Sequence, residues 1–148
     1  MKKYLLAFTL FTLFLPGNLD LNILSNMDWL DGKIIDKELD DPESDFPVKT
    51  FLVNANNRES ISISASIGSK TVFSGKNPII SNVDMIFSGH NKSYIEVSDG
   101  DLLTYFISEP MFMRGVEIFQ ISIVPFYGRP NSDEYVFYDN INLNIEIL

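Results

Sequence analysis

The stretch YVFYDNINLNIEIL, residues 135–148, decides the fold class of this chain. Along its second half, apolar and polar residues alternate at every step, which is the period of a β-strand with one face in a core and the other in water. The apolar positions are Ile141, Leu143, Ile145 and Ile147, and the polar positions are Asn142, Asn144 and Glu146. The stretch therefore predicts a closing strand that is buried on one side.

Two earlier segments carry strand signals of the same kind. The stretch SISISASIG, residues 60–68, alternates serine with isoleucine or alanine until Gly68, where the pattern stops. A further short strand is predicted in SKTVFSG, residues 69–75. The stretch FPVKTFLVNA, residues 46–55, begins near Pro47, which suits the start of a strand.

A hairpin is predicted in residues 93–108, SYIEVSDGDLLTYFIS, with its turn at SDGD and with Asp99 and Asp101 as turn residues. No helix of normal length is indicated after residue 18. About seven short strands, with turns roughly every ten residues, predict an all-β fold, specifically an antiparallel, Ig-like β-sandwich.

The stretch MRGVEIFQISIVPF, residues 113–126, has an apolar pattern that changes phase near Phe119 and Gln120. A β-bulge would produce this change, and so would a strand that is buried first on one face and then on the other. Pro125 removes a ladder donor, so we expect strand pairing to end there. At the other end, Gly115 permits a turn, and a structural role for Arg114 is to cap the strand end and pair with a carboxylate.

Composition excludes several classes of protein. The chain has 148 residues, a formal net charge of -9 and no basic stripe, which argues against a nucleic-acid partner. Without cysteine it has no thiolate metal site and no cysteine nucleophile. Its one histidine, His90, lies in a loop-like stretch, and no serine lies in a Gly-x-Ser-x-Gly elbow. We therefore expect neither catalysis nor a cofactor in this chain.

The N-terminus divides the chain into three parts. Residues 1–18 have two lysines, an apolar run of about 12 residues and Pro-Gly-Asn, which is the pattern of a secretory signal peptide; a buried N-terminal helix is the alternative. Residues 19–45 are predicted as an N-terminal strand followed by an acidic, solvated linker, DKELDDPESD, which fits no EF-hand spacing. Residues 46–148 form the predicted sandwich. Asp99 and Asp101 are only weak candidates for calcium ligands, because they are predicted turn residues. We therefore expect no metal site.

The segment from Arg114 to Ile147 resembles the closing part of the propeptide domain of gingipain-type cysteine peptidases, the C25 family. In that family the segment runs from an Arg-Gly pair through an alternating strand, a proline, an aromatic residue near a turn and a polar tip to a final strand. This chain matches it with Arg114, Gly115, Pro125, Tyr127 and the strand from Tyr135 to Ile147. Pro47, Val48 and Lys49 match an earlier segment of that family, whereas Phe46 replaces its leucine and Asn54 to Asn56 stand where a proline is common. The resemblance covers roughly residues 45–148.

This resemblance implies a non-catalytic, β-sandwich prodomain of a secreted cysteine endopeptidase precursor. Such a domain assists folding and keeps the peptidase latent by covering its active-site cleft, in cis or in trans, while the catalytic His and Cys lie downstream. It also implies export through the periplasm of a Gram-negative bacterium, to the cell surface or beyond, with no membrane contact after signal cleavage. Arg114, Arg129 and Tyr127 are the candidate partner-binding residues, with either arginine as a substrate mimic.

The alternative function is a stand-alone secreted β-sandwich, used for adhesion or structure without a peptidase partner. A glycan-binding module is a further class, for which Tyr127, Tyr135 and Tyr138 are the candidate aromatic residues.

Overall fold

The computed structural model describes residues 17–38, 47–75 and 87–148. Within these ranges the chain forms eleven strands and a short 3-10 turn, Arg58–Ser60. The strands are β1 Gly17–Leu24, β2 Met27–Leu30, β3 Lys33–Asp36, β4 Lys49–Asn54, β5 Ile61–Phe73, β6 Asn91–Ser98, β7 Asp101–Ile107, β8 Met111–Met113, β9 Val116–Val124, β10 Phe126–Gly128 and β11 Tyr135–Ile147. No helix in the described ranges is long and apolar enough to cross a membrane.

The first sheet, which we call the β11 sheet, is organised around its central strand. On one side, β11 pairs antiparallel with β5 along its whole length, from Ile147 opposite Ile61 to Tyr135 opposite Phe73. On the other side it pairs with β1 over its C-terminal half and with β10 at its N-terminal end. The sheet is therefore three strands wide, because β1 and β10 share one edge of β11.

The second sheet, which we call the β9 sheet, has the order β4-β9-β7-β6, and the short strand β8 also pairs with β9. All of these pairings are antiparallel. The turn between β6 and β7 is Asp99-Gly100, with positive φ at both residues, which confirms the predicted hairpin. The strands β2 and β3 form a separate small hairpin.

The core lies between the two large sheets. It joins the inward row of β11, whose members are at most 7% exposed, to buried residues of β7 and β9. A second, aromatic-rich cluster closes one end of the sandwich, where the Trp29 ring lies 5.2 Å from the ring of Phe137. The prediction of an all-β antiparallel sandwich is confirmed, with more strands than the seven expected because several are only three or four residues long.

Pro125 marks the point where the chain changes sheets. Strand β9 ends at Val124 in one sheet, and β10 begins at Phe126 in the other. The Pro125 carbonyl accepts a hydrogen bond from the Tyr138 N–H at 2.9 Å, which ties this crossing to β11. Proline suits the position because it has no N–H to donate to the ladder that it leaves.

The change of phase in β9 does not come from a bulge. Its register with β4 runs without a shift from Ile118 to Ile123, and adjacent residues such as Ile118 and Phe119 are both buried. The strand lies in the interior of its sheet and is covered on both faces, so its apolar residues need not alternate. The change of phase is therefore explained by burial of both faces at once. The two predicted explanations, a β-bulge and burial of one face after the other, are wrong.

Gly68 does not end the serine-rich strand. Strand β5 continues to Phe73, and the register is irregular where Ile67 pairs with Ile141 and Ser69 pairs with Asn140. A Cβ at Gly68 would lie 3.1 Å from the Asn140 side chain, so the glycine permits a close approach there. The two predicted short strands are one long strand with an irregularity.

Asp36, which begins the predicted solvated linker, is fully buried. Its Oδ1 accepts hydrogen bonds from the N–H groups of Asn26 and Glu38, and its Oδ2 lies 2.6 Å from Lys49 Nζ. This cation compensates a carboxylate that would otherwise be costly to bury, and the pair joins the β2–β3 hairpin to the start of β4. The rest of the predicted linker, residues 39–45, and the predicted signal segment up to residue 16 lie outside the described residues.

Replacing Ile145 by alanine tests the central role of β11. Ile145 has no exposed surface, so the substitution is expected to lower the free energy of unfolding by about 2–5 kcal/mol through lost burial and a cavity. Urea unfolding followed by the fluorescence of Trp29 measures this change. The neighbouring Glu146→Ala variant is the control, since that exposed side chain should change stability by no more than about 0.5 kcal/mol. Equal effects of the two variants would contradict the assigned faces of β11.

Candidate functional site

Two places in the structure bring together the residues that the sequence singled out. One is a buried ion network around Asp101, which includes Arg129. The other is the tip of the β8–β9 hairpin, residues 111–116, which includes Arg114 and is called the hairpin tip below. They lie toward opposite ends of β9, because Met113 pairs with Val116 whereas β7, which begins at Asp101, pairs with Val124. A nine-residue strand separates its ends by roughly 25 Å.

The ion network is centred on the Asp101 carboxylate, which is 3% exposed. Arg129 binds it through two hydrogen bonds, from Nε to Oδ1 and from Nη2 to Oδ2, both at 2.9 Å. Lys70 Nζ lies 3.2 Å from Oδ2, and Arg129 Nη1 also donates to Glu134 at 3.2 Å. Because Asp101 belongs to the β9 sheet and Lys70 to β5, the network connects the two sheets.

The charges of this network shift the protonation equilibria of its members. Hydrogen bonds from Arg129 hold the pKa of Asp101 below its ordinary value, and they outweigh burial, which acts in the opposite direction. The same bonds raise the pKa of Arg129. The adjacent Tyr138 hydroxyl donates to the Leu102 carbonyl at 2.8 Å, and burial, followed by the charge of Asp101, raises the pKa of that tyrosine. All three groups therefore keep one charge state near neutral pH.

This geometry bears on three predicted roles. The guanidinium of Arg129 is bound by two carboxylates, those of Asp101 and Glu134. To act as a substrate mimic, Arg129 would first have to leave both of them, and this role stays a prediction. Both oxygens of Asp101 accept from Arg129, and Asp99 is an exposed turn residue with φ of 48°. Across residues 17–38, 47–75 and 87–148, no cluster of three or more His, Asp or Glu residues is arranged to hold a metal ion.

The tyrosines proposed as a glycan-binding face are not exposed together. Tyr138 has no exposed surface, and Tyr135 packs edge-on against Trp29 with ring centroids 5.7 Å apart. Tyr127 is half-buried and packs against the core from β10. Its role in partner binding stays a prediction, but a flat platform of three stacked aromatics does not form.

The hairpin tip has an unusual surface for the end of a β-sandwich. Three consecutive apolar residues of β8 are exposed: Met111 by 40%, Phe112 by 73% and Met113 by 45%. They precede the exposed Arg114 and the turn at Gly115. A contiguous run of exposed apolar side chains is rare on a monomer surface and marks interaction sites. Arg114 was a candidate from the sequence, whereas its apolar neighbours were not, because an apolar run by itself indicates a buried strand.

The backbone at this tip is strained. Arg114 has φ of 53° and Gly115 has φ of 78°, so both turn residues adopt the left-handed region of a two-residue hairpin turn. Glycine adopts this region freely, and asparagine or aspartate tolerates it, but a residue such as arginine loses about 1 kcal/mol there. A cation is thus held in a costly conformation at the exposed turn of a hairpin whose first strand is apolar.

Comparison with known proteins places this geometry in context. No protein-family profile matches the chain, and no curated protein matches it significantly. Among solved structures, the chain is similar to the complex of Porphyromonas gingivalis RgpB pro- and mature domains, with 11% identity, a TM-score of 0.46, and coverage of 90% of this chain and 82% of that one. It is also similar to a structure describing the zymogenic latency of gingipain K from Porphyromonas gingivalis, with 12% identity, a TM-score of 0.43, and coverage of 89% and 87%. Its structural neighbours are gingipain prodomain complexes.

At this identity, the roles of individual residues do not transfer from the gingipain prodomains to this chain. This chain contains no cysteine, so it does not supply the nucleophile of a cysteine peptidase. The contribution of each residue to binding must come from its own exposure, charge and backbone conformation. By these criteria the hairpin tip is the candidate binding site. The Asp101 network, at the other end of β9, has a structural role, because it connects the two sheets.

Replacing Asp101 by asparagine is expected to lower the free energy of unfolding by about 2–3 kcal/mol. Removing one partner of a fully buried ion pair costs about 3–5 kcal/mol, and the partial exposure of the Arg129 and Lys70 side chains reduces this figure. Chemical denaturation at pH 7 measures the change. The matched control is Asp99→Asn, which removes the same charge two residues away in an exposed turn and should have little effect.

The pH dependence of stability gives an independent check of the same carboxylate. The folded-state pKa of Asp101 is lowered, so its contribution is complete above the unfolded value of about 3.9 and disappears as pH falls through the folded value. The stability difference between the wild type and Asp101→Asn should therefore be constant from about pH 7 to pH 5 and shrink below about pH 4. A difference that grows on acidification would contradict this assignment.

Proposed function

We propose that this chain is the non-catalytic prodomain of a secreted, gingipain-like cysteine endopeptidase, and that it binds the catalytic domain and keeps it latent by covering the active-site cleft. The resemblance of residues 45–148 to the propeptides of that peptidase family supports the proposal. We further propose that it assists folding of the peptidase and is exported through the periplasm of a Gram-negative bacterium, as the family resemblance implies. The pattern of residues 1–18, which is that of a secretory signal peptide, supports export.

The single observation that carries the proposal is the exposed surface of the hairpin tip. Phenylalanine, methionine and arginine are enriched where protein interfaces are buried, and the tip presents all three within four consecutive residues, 111–114. Phe112 is the most exposed large side chain among them. Its transfer from water into a pocket of the partner would be favourable, at about 1.5–3 kcal/mol for a fully buried side chain.

The shape of the tip suits a cleft. Because β8 pairs with β9 through three residue pairs, Met111 to Ile118, Phe112 to Glu117 and Met113 to Val116, the hairpin is held in register before it meets a partner. A preorganised segment loses less conformational entropy on binding than a flexible loop does. The two-residue turn makes a narrow end, and Arg114 places a positive charge there on a chain whose net charge is negative.

The strain at Arg114 points in the same direction. Asparagine fits a left-handed turn position better than arginine, so a residue chosen for stability alone would not be arginine. Backbone strain of this kind is found at functional sites, where the side chain is required for another reason. A partner that provides a carboxylate for the guanidinium would supply that reason.

Titration of mature C25-type peptidases with the purified chain tests the proposal. We expect inhibition of the hydrolysis of a small peptide substrate by the wild type, and a loss of affinity of roughly 10–100-fold for Phe112→Ser, as for an interface hot spot. The control is Val72→Ser, which removes an exposed apolar side chain from β5, a strand outside the tip. Absence of binding and inhibition with every peptidase tested, at concentrations far above micromolar, would refute the proposed function.

Replacing Arg114 by asparagine separates function from stability. The variant is expected to raise the free energy of unfolding by about 0.5–1 kcal/mol, because the strained turn relaxes. The same variant is expected to inhibit the peptidase less well than the wild type, because the charge is lost. Parallel denaturation and inhibition measurements give both values. A variant that is less stable and equally inhibitory would show that Arg114 has only a structural role.

A further inference from the structure

Strand β5 forms one edge of the β11 sheet, and none of the strands in the described ranges pairs with its outer side. The Leu148 N–H donates to the Ser60 carbonyl at 3.0 Å, in register with the pairing of Ile61 and Ile147. In an antiparallel ladder, N–H and C=O groups of alternate residues point to opposite sides. The backbone groups that point to the open edge are therefore those of Ile61, Ile63, Ala65 and Ile67.

Among the described residues, nothing supplies this edge with the usual protection against pairing. Natural edge strands carry charged side chains, prolines or bulges that prevent another strand from adding to them. Residues 61–67 contain no charge and no proline, and the irregularity of β5 comes only after Ile67. The inward side chains of Ile63 and Ala65 are only half-buried, whereas Leu143 and Ile145, which they pair with on β11, are at most 2% exposed.

The sequence of the edge is complementary to itself. The stretch ISISASI, residues 61–67, shows the same alternation of apolar residue and serine when it is read backwards from Ile67. Its centre is Ser64, an exposed residue on the outer face of the sheet. An antiparallel copy centred on Ser64 would therefore place apolar residues against apolar residues and serines against serines, as a two-fold symmetric interface requires.

We propose that the β5 edge pairs with β5 of a second copy of this chain, antiparallel about a two-fold axis at Ser64. Ile61 then lies opposite Ile67 of the partner, and Ile63 lies opposite Ala65 of the partner. Since these are the residues whose backbone groups point outward, the four symmetric pairs exchange about eight hydrogen bonds. On the outer face, Ser64 meets its symmetry mate and Ser62 meets Ser66, pairs that can hydrogen-bond across strands.

The register is limited on both sides. The 3-10 turn Arg58–Ser60 precedes the strip, and the irregularity after Ile67 follows it, so seven residues are free to pair. A slip by one residue would place serines beside the apolar row, which alternation opposes. Because a single strand pair buries less than the roughly 1,200 Å² of a stable interface, we expect a dimer that dissociates in the micromolar range.

Charge substitution at Ser64 tests this pairing in the purified chain. Ser64→Lys places two lysines about 4.5–5.5 Å apart across the axis, and Ser64→Glu does the same with two carboxylates. Sedimentation velocity at increasing concentration should show dimers for the wild type and monomers for each variant. An equimolar mixture of the two variants should form dimers again, since lysine then faces glutamate. The control is Leu24→Lys, an exposed position of β1 at the opposite edge of the sheet, which should leave the dimer intact.

Several outcomes would overturn the proposal. These are a wild type that stays monomeric up to about 500 µM, a Ser64→Lys variant that dimerises as the wild type does, and a mixture of variants that remains monomeric. Circular dichroism of each variant verifies that the fold is kept, as expected for an exposed position. Hydrogen exchange gives a second readout: on dilution, the amides of Ile63 and Ala65 should lose protection together with the dimer, whereas that of Ser64, which points to β11, should not.

Discussion

The burial of one face of β11 against the β9 sheet is the constraint on which the rest of the structure depends. Its inward row is almost completely removed from water, and both of its edges are paired. Once this strand is placed, β5 must lie along one edge, and β1 and β10 must share the other. The aromatic cluster at one end of the sandwich follows, because Phe137 extends the same strand into it.

The Asp101 network fixes the alignment of the two packed sheets. Apolar rows alone allow two sheets to slide against each other, whereas a bidentate pair between Arg129 and a buried carboxylate is satisfied in one alignment only. The network lies at the end of the sandwich away from the hairpin tip. The ion network and the proposed binding site therefore lie in different regions, so that an effect of a substitution at the tip on inhibition can be separated from an effect on stability.

The sequence predicted the elements whose burial is one-sided. Alternation in residues 141–147 and 61–67 identified the two longest strands, and Asp99-Gly100 identified a hairpin, because in each case a local pattern determines the local structure. It predicted a strand at β9 but not the reason for its change of phase, because burial of both faces removes the alternation. It also assigned Asp36 to a solvated segment, since a buried carboxylate depends on Lys49, whose proximity only the fold creates.

The candidate site was predicted only in part, for a related reason. Arg114 and Arg129 looked equivalent as basic residues near turns, and only the fold distinguishes the exposed side chain from the bound one. Exposure of Met111 to Met113 was not predictable from their apolar character, which by itself indicates a core. The strain at Arg114 likewise appears only in the backbone conformation.

Hydrogen exchange of the chain with and without a mature C25-type peptidase, read at the level of single peptides, is the most direct test of the proposed binding mode. We predict new protection concentrated in residues 111–118, the hairpin tip and the first residues of β9, with β1 and the distant Asp101 turn unchanged. Protection that falls elsewhere, for example on the serine face of β5, or no change on addition of peptidase, would contradict the claim that this domain acts by inserting its hairpin into the cleft.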